Sequence, residues 1–146
     1  MATQSQIETL IHLAQLETDA AAKRLGIATN ALKDAEQKLT MLFGYRDDYA
    51  QKLNLKGQGG ISPSAYQNFM AFMSKLDNAI HGQQDVVNMS QRKVDQERMA
   101  WQESERKRMS YGALQKRAEA KKVKIEAKRD QRAMDEHANR IFFYKR

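Results

Sequence analysis

A chain of 146 residues with 29% charged residues and a single proline has the length of one domain, but its composition argues against a mixed globular fold. Good helix formers dominate and β-branched residues are few, so the expected class is all-α. The absence of cysteine excludes disulfides and thiolate metal sites, and a formal net charge of +7 makes polyanions partners to be weighed.

The first twenty residues show no basic stretch followed by an apolar core, so they do not read as a secretory leader. No apolar run approaches the roughly 18 residues of a membrane span. Together these features point to a cytoplasmic protein.

From Ile7 to Leu53 the sequence carries a heptad seam. Ile7, Ile11, Ala14, Thr18, Ala21, Leu25, Ala28, Leu32, Ala35, Leu39, Leu42, Arg46, Tyr49 and Leu53 recur at alternating spacings of four and three. That spacing predicts a coiled-coil helix over about 5–55, and its alanine every seventh residue would admit a closely packed partner.

The stretch 56–62 holds Gly57, Gly59 and Gly60 and then Ser62 before Pro63, which reads as a turn followed by an N-cap and a first-turn proline. A second helix is expected over about 63–141. Met73, Ile80, Val87, Val94 and Trp101 form its seven-residue ladder, with Phe69, Leu76, Gln83, Ser90, Glu97, Ser104 and Tyr111 on the companion positions. The two seams satisfy each other if the helices fold back antiparallel, giving a monomeric two-helix coiled-coil hairpin as one domain spanning 1–146. Leu42 then pairs near Leu76, and Ile7 near Tyr111.

The second helix is the longer. It overhangs the first by about 25–30 residues, or ~40 Å at about 1.5 Å per residue. Residues 115–146 hold eleven Lys and Arg against five Asp and Glu, six of the chain's seven net positive charges.

No catalytic or metal-binding pattern emerges. His12, His81 and His137 lack ligand spacing, the glycine-rich turn is not a phosphate loop, and Asn88 meets a glycosylation pattern by chance. A two-helix rod offers no deep pocket for an activated nucleophile, so neither enzyme nor cofactor is expected. What stands out is a ring cluster. Phe43, Tyr45, Tyr49, Tyr66, Phe69 and Phe72 are six of the eleven aromatic residues, and two helices cannot cover rings lying beside their contact. Tyr45 and Phe72 fall beside the seam and read as a docking patch, with local packing at the hairpin tip as the alternative.

The Ala-rich heptad helix, "TMLFGYRDDY", the glycine turn, and Phe72, Leu76, Ala79 and Ile80 in "FMAFMSKLDNAI", followed by a basic helix, resemble the FliJ family of flagellar export proteins. The resemblance implies a component of the flagellar type III export apparatus, peripheral at its base and serving motility and chemotaxis. It implies a stalk-like coiled coil that links and activates the hexameric export ATPase FliI and the membrane export gate FlhA, and that escorts export chaperones. It carries a gate-binding surface onto Leu42, Tyr45, Tyr49, Phe72, Leu76 and Ala79. Lys38 and Gln83 depart from the pattern at its edge. ATPase contact is expected at the free end, through Arg117, Lys121, Lys122, Lys124, Lys128 and Arg129. The reading of a different class is a basic helical nucleic-acid-binding protein, with the basic helix as its electrostatic footprint.

Overall fold

A computed structural model describes residues 3–144. Lys145 and Arg146, counted above with the basic end, lie outside the described residues. Two helices account for nearly all of the described residues: α1, Gln4–Gln58, and α2, Pro63–Tyr144. This is an all-α helical hairpin.

Each helix start has a local cause. Thr3 Oγ1 accepts from the Gln6 N–H at 3.3 Å, while Gln6 Oε1 accepts from the Thr3 N–H at 3.0 Å. This reciprocal pair satisfies two amide donors at the opening of α1. At α2 the Ala65 N–H donates to Ser62 Oγ at 3.1 Å, and Pro63 occupies the first helical position. The turn is shorter than the expected 56–62, because Lys56, Gly57 and Gln58 continue α1. Gly60 alone takes a positive φ, +84°, and reverses the chain there. The glycines inside the helices do not interrupt them.

The chain divides into two compact units, Met1–Asp19 with Gln102–Arg146, and Ala20–Trp101. In the second, the heptad seam is the core. Ala21, Ala28 and Ala35 of α1 and Leu76, Ile80 and Val94 of α2 are buried. Leu25, Leu32 and Leu39 are half-buried alongside Met73, Val87 and Trp101. Small residues on α1 let the two backbones approach, and the larger side chains of α2 fill the space beside them. Arg46 departs from its expected seam position. It is exposed and reaches Asp77 at 3.2 Å, because a guanidinium so near the tip keeps its hydration by pairing at the rim.

In the other unit, Ile7, Ala14 and Thr18 of α1 are buried, and Ser104, Arg108, Tyr111 and Gln115 of α2 are half-buried. Arg108 leans back along its own helix, its Nε donating to Glu105 at 3.1 Å. Beyond Gln115 every described residue of α2 is exposed.

Two polar residues on the α2 seam are satisfied across the hairpin of the second unit. Gln83 Nε2 donates to the Ala35 carbonyl at 3.0 Å. Glu97, buried, accepts from Lys93 at 3.0 Å and from Arg24 at 3.2 Å. Hydrogen bonding from Lys93, and then from Arg24, holds its carboxyl below the ordinary value of 4.5 despite the opposing effect of burial. A carboxylate with a lowered folded pKa stabilises the fold above its unfolded pKa. That stability is lost as pH falls through the folded value. Stability should therefore decline as the solution is acidified below 4.5, the ordinary value of this group. Glu97→Gln should lower stability at neutral pH and flatten part of the acid decline. Urea unfolding of both proteins at neutral pH and at about pH 3.5 checks this, and parallel acid profiles would contradict it.

Candidate functional site

The surface richest in recognition chemistry lies beside the turn. On α1, Leu42, Tyr45 and Tyr49 follow the spacing that puts residues on one helix face. Phe72, Leu76 and Ala79 do the same on α2. Tyr49 is half-buried and joins the two sets. Its ring stacks on Phe72 with centroids 4.3 Å apart and meets Phe69 at 5.4 Å in a tilted arrangement. Lys52 places its ammonium over the Tyr49 ring, 5.4 Å from the centroid.

The six residues differ in what they offer a partner. Tyr45 is 50% exposed and Phe72 41% exposed. Ala79 is exposed, Leu42 half-buried, and Leu76 buried in the seam. A partner could therefore touch Tyr45, Phe72 and Ala79 directly, while Leu76 is out of direct reach. Phe72 lies beside the seam, as its spacing predicts, and its stack on Tyr49 ties it to the α1–α2 contact. Two helices bury little ring area, so the tip closes over Tyr49 with the next ring in line. At the patch edge Lys38 is exposed, and Gln83 is committed to the Ala35 carbonyl.

The second surface is the basic part of α2. Arg117, Lys121, Lys122, Lys124, Lys128 and Arg129 are all exposed. They do not act as one group. Arg117, Lys121, Lys122 and Arg129, with Glu126, border a groove of about 670 Å³ whose apolar walls are Ile7 and Leu10 of α1 and Tyr111, Leu114, Ala118 and Ile125 of α2. Lys124 and Lys128 are not among its lining residues. Sequence reasoning saw the charge of this end and missed the apolar groove within it. The signal was present in Tyr111, Ala118 and Ile125, seven apart, which continue the seam past the start of α1.

Among the described residues no cluster of His, Asp and Glu is arranged to hold a metal ion, and no helix is long and apolar enough to cross a membrane. The fold and its surfaces define a helical-hairpin protein whose recognition chemistry sits on helix faces. The family model described as "Flagellar FliJ protein" matches residues 3–146. Two relatives with that same description cover nearly the whole chain. That of Salmonella typhi is 33% identical over 140 residues, covering 96% of this chain and 95% of the relative. That of Escherichia coli (strain K12) is 31% identical over 140 residues, with the same coverage of both. The chain belongs to the FliJ family, and is thereby a component of the flagellar export apparatus.

The ring geometry separates two substitutions that composition alone makes equivalent. Phe72→Ala removes a stacked partner of Tyr49 and should cost the free protein about 1–2 kcal/mol. Tyr45→Ala, half-exposed and outside the stack, should fall within about 0.5 kcal/mol of the parent. Thermal unfolding of the two variants side by side measures the difference, and equal melting temperatures would show that the stack carries no stability.

Proposed function

We propose that this chain is a coiled-coil connector of the export apparatus. It docks on the export gate through the aromatic surface beside the turn and on the export ATPase through the basic end, so that it links and activates the two and escorts export chaperones. The observation that carries the reading is the exposed pair Tyr45 and Phe72 flanking Tyr49, a half-open aromatic surface beside a tight turn. An exposed ring held by a stack, as Phe72 is, loses little freedom on binding, and Tyr45 offers a second exposed ring; both suit an aromatic anchor role. Family membership favours this reading over a nucleic-acid-binding helix.

In the proposed arrangement Tyr45, Phe72 and Ala79 meet the gate, Leu42 and Tyr49 fill the shoulder, and Leu76 holds Phe72 in place from the seam. Tyr45→Ala should weaken gate binding by roughly 1–3 kcal/mol while leaving the melting temperature nearly unchanged. Calorimetric titration of the gate's cytoplasmic part with this variant provides the measurement. Unchanged affinity would remove Tyr45 from the contact.

At the other surface, the proposed ATPase contact includes Lys124 and Lys128. Charges of this kind act mainly on encounter rate and orientation. Replacing both with Glu should slow association with the ATPase and reduce its stimulation at low ionic strength, with a smaller effect at high salt. Stopped-flow association and phosphate release across a salt series test this. Stimulation equal to that of the parent at every salt concentration would move the contact elsewhere.

A further inference from the structure

The apolar groove at the basic end has features that a charge contact alone does not need. Tyr111, Ala118 and Ile125 of α2 continue a seven-residue ladder that pairs helix with helix. The partner helix α1 begins at Gln4, and among the described residues its Ile7 and Leu10 form only the lower wall of the groove. Leu10 is 38% exposed, Leu114 47% and Ile125 49%. Past Gln115 the described residues of α2 are exposed. The space has the form of an unfinished helix seam. Its rim is cationic, with Arg117, Lys121, Lys122 and Arg129 set against Glu126 as the one carboxylate. Among the described residues no carboxylate pairs with Arg117, Lys122 or Arg129.

We infer that this groove receives an amphipathic α-helix of a partner protein, whose apolar face seats on Leu10, Leu114 and Ile125 and whose acidic flanks pair with Arg117, Lys122 and Arg129. The inference rests on the proposed use of this end for docking and deepens it by naming the chemistry of what docks. A heptad ladder accepts side chains arriving at helical spacing. A rim of one sign selects the opposite sign on both flanks of the incoming helix. An extended acidic segment or a nucleic acid would satisfy the cations and leave Leu10, Leu114 and Ile125 uncovered. A helix with an apolar face satisfies both.

The test uses the full chain and a labelled synthetic helix of about three heptads, with Leu on one face and Glu on the remainder. Two control peptides accompany it, one with the same composition scrambled and one with the Leu face kept and Glu replaced by Lys. By fluorescence anisotropy the acidic amphipathic helix should bind at least about tenfold more tightly than either control. Ile125→Gln and Leu10→Gln, at exposed positions that circular dichroism should show still helical, should each weaken it by about tenfold. The double variant Arg117→Glu with Arg129→Glu should lose the acidic helix and gain the Lys-faced one. Equal binding of the scrambled peptide, or full competition by a single-stranded DNA oligonucleotide, would overturn the inference by reducing the site to a polyanion surface. Insensitivity to both Gln variants would overturn it as well. ATPase stimulation is measured separately on the same variants. A chain that stimulates normally but ignores the amphipathic helix loses this inference and keeps the ATPase reading, whereas binding without stimulation does the reverse.

Discussion

The close approach of two helices along an alanine-lined face is the constraint on which everything else depends. Ala21, Ala28 and Ala35 are almost wholly buried, and so is Ala14 in the other unit. An alanine seam stabilises through backbone proximity and dispersion more than through the area of any one side chain. It leaves the flanks of both helices open. Large side chains that would enter the core of a globular protein therefore stay at the surface in this fold, and recognition can be written along helix faces without a cavity.

The aromatic surface follows from this geometry. Near the turn the small residues of α1 give way to Leu42 and Tyr49, and the opposite positions become Phe69 and Phe72. A two-layer contact can half-cover such rings, and the stack of Tyr49 on Phe72 is the arrangement that results. The same physics acts at the basic end in another form. There, among the described residues, Ile7 and Leu10 of α1 and the ladder of Tyr111, Ala118 and Ile125 on α2 line an apolar groove whose rim is mostly cationic. Stability and recognition thus draw on the same positions, and a substitution in either surface must be read for both effects.

Most of the fold was legible in the sequence because a heptad repeat states which residues face inward, and nearly every inferred seam position is buried or half-buried. The exception is Arg46, because spacing cannot register that a guanidinium at the rim finds Asp77. The turn came out shorter than expected because helical Gly57 and Gly60 at positive φ look alike as letters. At the ring cluster, periodicity gave the correct neighbourhood. It could not decide whether Phe72 leans toward Tyr49 or away, since that depends on rotamers and interhelix distance. The groove was missed for a different reason. In residues 115–132 the charged residues outnumber Ala118 and Ile125, and spacing alone does not show that these two meet Ile7 and Leu10 in one groove.

A repeating seam has a weakness that its individual contacts do not reveal. Because α1 presents nearly the same alanine and leucine pattern every heptad, its apolar surface alone barely distinguishes the native alignment from one slid along by seven residues. Glu97 removes that ambiguity. In the native alignment it meets Arg24. Slid by one heptad in either direction, it would face Glu17 or Ala31, leaving a buried carboxylate opposite a like charge or an apolar methyl. The non-repeating bond from Gln83 to the Ala35 carbonyl marks the same alignment at a second point. These two polar contacts work as index marks on an otherwise uniform track. Without them the rings beside the turn would lose the phase on which their stack depends.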